Sequence, residues 1–141
     1  MSAPSALPSD AAGLLEASRA REKGQTLFYR ALAAQAVAAG DDDATERLND
    51  LHADEQHHLS RLTARLLELG QAPRDLSAVP APGGELEGWE VVARAREEDE
   101  VRWYEDAAAL PLDESTRATL AAILVSERHH AEALRGKWMS S

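Results

Sequence analysis

Residues 48–69 read LNDLHADEQHHLSRLTARLLEL. The leucines at 48, 51, 62, 66 and 69 follow one another at helical spacing and mark a single inward face. At the centre of that face stand Glu55 and His58 instead of leucines. The pattern returns later in the chain at Leu120, Ile123, Glu127, His130 and Leu134. An unpaired carboxylate carried into a core is prohibitively costly, and several together add mutual repulsion. Divalent cations would remove both costs.

The same helical reading extends to the rest of the 141 residues. Alanine, leucine, glutamate and arginine dominate, and sheet-forming residues are scarce, which predicts an all-α protein with one core. The first helix is expected from Ser9 or Asp10 to Ala39, closed by Gly40. The second, capped by Asp41, Asp42 or Asp43, runs to Gly70. Prolines at 73, 80 and 82 and the pair Gly83-Gly84 make 71–84 a linker. The third helix is expected from about Glu85 to Leu110, stopped by Pro111. Asp113 caps a fourth that ends near Gly136.

The turns inside hairpins 9–70 and 85–137 are short, whereas the extended linker can reach roughly 46 Å. That order of connections predicts an antiparallel four-helix bundle with a long crossover between helices 2 and 3. Residues 1–8 are expected to be a flexible N-terminus and 138–141 a tail. Trp89 and Trp138, near helix ends, are expected to pack or anchor.

The inward positions of helix 1 are Leu15, Ser18, Glu22, Gln25, Tyr29, Leu32 and Ala36. Those of helix 3 are Leu86, Ala93, Glu97, Glu100, Tyr104 and Ala107. The two hairpins repeat each other. Arg19-Ala20-Arg21-Glu22 recurs as Arg94-Ala95-Arg96-Glu97, and Glu55-Gln56-His57-His58 as Glu127-Arg128-His129-His130. At about 1.5 Å per residue, Glu22, Glu55, Glu97 and Glu127 stand roughly 21–27 Å from their own turns, so they meet at one level.

A lone Glu-x-x-His is a weak signal. Its phase with the core face, its duplication and the inward glutamate on each preceding helix give it weight. Glu98 and Asp99 point away, and His57 and His129 sit one position off the inward phase, on the rim. His52 fits either a helix flank or a supporting position. Asp54 is placed to orient a histidine across the bundle, one-sidedly, since Ser126 is its counterpart.

A glutamate followed seven residues later by tyrosine, then Glu-x-x-His, twice over, resembles the rubrerythrin branch of the ferritin-like diiron proteins. The resemblance covers about residues 12–135. It implies two iron ions per chain, with Glu22 and Glu97 as terminal ligands, Glu55 and Glu127 as bridges, and His58 and His130 on one metal each. Glu100 matches the family's additional glutamate, which there exchanges with the helix-2 histidine when the redox state changes. With Tyr29 and Tyr104, which either pack in the core or hydrogen-bond to ligands, Glu100 completes the candidate catalytic residues. Manganese suits the same donors.

The implied activity is oxidation of Fe(II) with reduction of hydrogen peroxide or dioxygen. Two alternatives are a ferroxidase serving iron storage or delivery, and a metal-independent helical interaction module. The chain has no cysteine, so it has no rubredoxin centre, and an external electron donor is expected. Zinc ribbons and thiol chemistry are excluded on the same ground. A net charge of −10 argues against nucleic acid. No stretch has the length and apolarity of a membrane span, and residues 1–10 lack the pattern of a secretory signal, so a cytoplasmic protein is expected. The resemblance implies a homodimer, and the linker is long enough for helices to exchange between chains.

Overall fold

The computed structural model describes residues 7–135. Among them are four helices and no strand: α1 (Ala11–Ala39), α2 (Asp42–Glu68), α3 (Trp89–Ala108) and α4 (Glu114–Arg135). Aspartates cap three N-termini. Asp10 accepts the Gly13 amide at 3.2 Å, Asp41 that of Ala44 at 3.1 Å and Asp113 that of Thr116 at 3.0 Å. Gly40, at φ 69°, turns α1 into α2, a conformation that costs a glycine nothing. None of the helices is long and apolar enough to cross a membrane.

Helix α3 begins at Trp89, later than the expected Glu85. Gly88 holds a left-handed φ of 71°, and the residues before it are engaged elsewhere. The Gln35 side chain donates to the Gly84 carbonyl and accepts the Leu86 amide, both at 3.0 Å. The expected end of the fourth helix near Gly136, the tail and Trp138 lie outside the described residues, as does most of the expected flexible N-terminus. Trp89 is buried in the apolar cluster that also holds Phe28, Leu48 and Ala93.

The connection between α2 and α3 is fastened to α1 at two heights. Arg74 donates its amide to Glu16 at 2.9 Å and accepts from Arg19 at 3.2 Å. Gly84 and Leu86 meet Gln35. Glu16 and Gln35 are separated along α1 by roughly 28 Å at the helical rise.

Across the interior, Glu22 pairs with Tyr104 and Tyr29 with Glu97, so α1 and α3 run in opposite senses. On α2 and α4, Asp54 meets His130 and Arg65 meets Asp113, again in opposite senses. Two apolar clusters fill the interior. One joins Phe28, Leu32, Leu48, Leu51 and Leu134, and the other Leu14, Leu15, Leu62, Leu66, Leu120 and Ile123. A layer of buried polar side chains separates them along the helices.

Candidate metal centre

Each helix contributes to that layer. Glu22, Glu55, Glu97 and Glu127 are fully buried, and His58 and His130 nearly so. Their phase on the helices explains why. Each lies on the same face as its buried apolar neighbours, leucines on α1, α2 and α4 and Ala93, Tyr104 and Ala107 on α3, and burying that face draws the polar side chain inward.

The carboxylates gather around the two histidine Nδ1 atoms. Nδ1 of His58 lies 3.0 Å from Glu55 Oε1, 3.5 Å from Glu22 Oε1 and 3.5 Å from Glu127 Oε2. Nδ1 of His130 lies 3.2 Å from Glu127 Oε1, 3.4 Å from Glu55 Oε2 and 3.5 Å from Glu97 Oε1. Glu55 and Glu127 therefore each present one oxygen to each histidine, while Glu22 and Glu97 serve one half apiece. The imidazole rings are 6.1 Å apart.

These separations are informative. Most of them are too long for good hydrogen bonds. In a metal shell with bonds of about 2.0–2.2 Å, neighbouring donors stand about 2.8–3.6 Å apart, by octahedral or tetrahedral geometry. All six distances fall in that interval. Two groups of four donors, Glu22–Glu55–His58–Glu127 and Glu55–Glu97–Glu127–His130, are compact enough for an ion each.

One oxygen of every glutamate in the layer is buried without a hydrogen-bond partner: Glu22 Oε1, Glu55 Oε2, Glu97 Oε1 and Glu127 Oε2. An orphaned buried acceptor costs about 1–3 kcal/mol, more when charged. Four approach the whole stability of a domain, roughly 5–15 kcal/mol. The remaining oxygens are well served. Tyr29 donates to Glu97 Oε2 at 2.6 Å, as does Gln25 at 3.2 Å, and Tyr104 donates to Glu22 Oε2 at 2.7 Å. The helix-1 and helix-3 glutamates are thus oriented from behind, with their free oxygens turned to the centre.

Electrostatics divide the layer. Burial, reinforced by the neighbouring carboxylates, pushes Glu55 far up and Glu127 to about 8. Burial acts against charge on Glu97 and Glu22 as well, but contact with His130 and His58 outweighs it, holding Glu97 at about 2 and Glu22 below its ordinary value. The histidines answer in kind. Burial would lower both, yet their carboxylate neighbours raise His58 to about 9 and His130 to about 11.

Glu100 is buried but stands outside both donor groups. Its two oxygens receive Arg21 Nε at 3.2 Å and Nη2 at 3.0 Å. Arg21 also lies over the Trp103 ring, 4.6 Å from its centroid. Burial raises Glu100 to about 7 despite the arginine. His57 and His129 are exposed, as is Asp99, and His52 and Glu98 are half-buried. Helical periodicity alone does not single out Arg21 or Arg96. Yet each directly precedes an inward glutamate in the repeated Arg-Ala-Arg-Glu block, and that repeat was the available signal.

Comparison with known protein families, curated proteins and solved structures finds no match to this chain.

Proposed function

We propose that the chain is a ferritin-like four-helix bundle of the rubrerythrin type. In this reading it holds two iron ions and oxidises Fe(II) with reduction of hydrogen peroxide or dioxygen. The observation that carries the reading is the set of four buried, partnerless carboxylate oxygens facing two histidine Nδ1 atoms. The opposite senses of α1 and α3, and a linker fastened along α1, support the long crossover that such a bundle requires.

The donor set fits the ions. Four carboxylates balance two divalent cations, and neutral imidazoles complete the shells. Glu22, Glu55, His58 and Glu127 would hold one ion, and Glu55, Glu97, Glu127 and His130 the other. Oxygen-rich bridging leaves manganese as a competitor of iron. When bound, the pair supplies two electrons, which with two protons convert one peroxide into two waters.

The chain's own part is positioning and exclusion. Tyr29 and Tyr104 fix the terminal carboxylates by their hydroxyls and hold a proton beside the centre. The two apolar clusters keep bulk water from its ends. Glu100 lies one helical turn from Glu97, on the same face, where, freed from Arg21, it would be an additional ligand in one redox state. With no cysteine in the chain, re-reduction falls to a separate donor.

The test is anaerobic loading with Fe(II), then separate exposure to peroxide and to air, followed by near-ultraviolet absorption of the ferric centre. Two ions per chain and much faster oxidation by peroxide are expected. Equal or faster reaction with air would transfer the reading to a ferroxidase. No binding would leave a metal-independent bundle.

A further inference from the structure

The two halves of the centre are built on one internal repeat but are not supported equally. At the His130 half, Nε2 of the histidine lies 2.9 Å from Asp54 Oδ2. A hydrogen bond there keeps the Nε2 proton outward and holds Nδ1 toward the carboxylates, so that the neutral imidazole would present its Nδ1 lone pair to an ion. Glu97 is held by two donors, Tyr29 and Gln25. Gln25 is itself fixed, its Oε1 accepting Arg96 Nε at 2.7 Å.

The equivalent positions in the other half carry different residues. Ser126 stands where the repeat would place a second Asp54, and among the described residues no hydrogen bond reaches Nε2 of His58. Glu100 stands where the repeat would place a second Gln25. As a carboxylate it cannot donate to Glu22, and it pairs with Arg21, the counterpart of Arg96. Among the described residues, Tyr104 is left as the one side chain donating to Glu22 Oε2.

Resting on the dinuclear reading, we infer that the two metal positions differ in affinity. The Glu97–His130 position is preorganised and fills first, and the Glu22–His58 position fills second. Asp54 is a positioning residue, acting through His130. Removing such support lowers metal affinity by about 10–100-fold, which sets the size of the expected gap. The gap gives the centre a retained ion and an exchangeable one.

Mn(II) titration under anaerobic conditions, with the free ion counted by electron paramagnetic resonance, separates the two steps. Wild-type protein should bind two ions with dissociation constants at least about tenfold apart. Asp54→Ser should weaken the tighter step by about 10–100-fold and leave the weaker one in place. Ser126→Asp should strengthen the weaker step. Asp54 is largely exposed, so its replacement should not disturb folding, and an unchanged metal-free melting temperature verifies this.

Two equal steps that neither variant separates would overturn the inference while leaving the dinuclear reading intact. So would equal weakening of both steps by Asp54→Ser. Failure of the wild-type protein to bind a second ion would remove the dinuclear reading, and this inference with it.

Discussion

The Tyr29 hydroxyl sits 2.6 Å from Oε2 of Glu97, on the helix that crosses α1 in the opposite sense. The repeat returns the relationship as Tyr104 to Glu22 at 2.7 Å. Each tyrosine therefore serves the glutamate of the other hairpin, and each leaves that glutamate's second oxygen free to face the centre. Replacing either tyrosine by phenylalanine should keep the fold but release one terminal carboxylate. Metal affinity should fall by about 10–100-fold, and the metal-free protein should lose about 1–3 kcal/mol. Calorimetric titration and denaturant melts measure both. Unchanged affinity in both variants would reduce the tyrosines to core packing.

Glu55 offers its two oxygens to two different histidines, at 3.0 and 3.4 Å. Glu55→Gln keeps the shape and removes the charge. Without metal this should stabilise the protein by about 1–3 kcal/mol, because burial and the surrounding carboxylates already oppose ionisation there. With metal the order should reverse. Wild-type protein at a hundredfold excess over its dissociation constant gains about 2.7 kcal/mol, roughly 10 °C in melting temperature. The variant should gain little and should no longer bind two ions. A wild-type melt indifferent to chelator would argue for a bundle that needs no metal.

Metal-free stability and metal affinity should respond oppositely to pH. Glu127, raised to about 8, and Glu55, also raised well above its ordinary value by burial and the neighbouring carboxylates, bind protons in the folded state that the unfolded chain gives up near about 4.3. Stability therefore falls as pH rises from about 5 to 8. His58 acts in the same direction. Its contribution is complete below the unfolded value of about 6.5 and is lost as pH climbs through about 9. Metal must displace these protons, so affinity should climb over the same interval, by about tenfold per pH unit for each proton released. Melts of chelated protein between pH 5 and 8, with indicator-dye detection of protons released on Mn(II) addition, check both halves.

The burial of Glu22, Glu55, His58, Glu97, Glu127 and His130 was legible because they interrupt apolar stripes at helical spacing. Glu22, Gln25, Tyr29, Glu97, Glu100 and Tyr104 are all buried, as their phase requires. Phase gives the face and the height of a side chain, but not its partner. Nothing in the periodicity assigns Glu100 to Arg21, because an arginine off the inward stripe reaches the interior by the length of its own chain. Nor does it join Arg96 to Gln25. The start of α3 was missed for a local reason. Glu85 and Glu87 are good helix formers, yet Gly88 turns left-handed and Leu86 spends its amide on Gln35.

The Arg21–Glu100 pair supplies the sharpest test of the redox reading. Glu100 is buried and close to neutral pH in its titration, and it is held by both guanidinium contacts rather than by the centre. A permanent structural ion pair would make Glu100→Gln a purely local change, costing about 1–3 kcal/mol with no effect on chemistry. A ligand used in one redox state predicts something different. Two Fe(II) ions should still bind, because six donors remain, while the ratio of the oxidation rates with peroxide and with dioxygen should shift by about tenfold. Arg21→Gln should shift the same ratio without touching any donor, since it frees Glu100 instead of removing it. Stopped-flow absorption with each oxidant in turn distinguishes the two. Loss of binding in Glu100→Gln as severe as in Glu55→Gln would end the exchange model, because a permanent ligand cannot also be the one that moves.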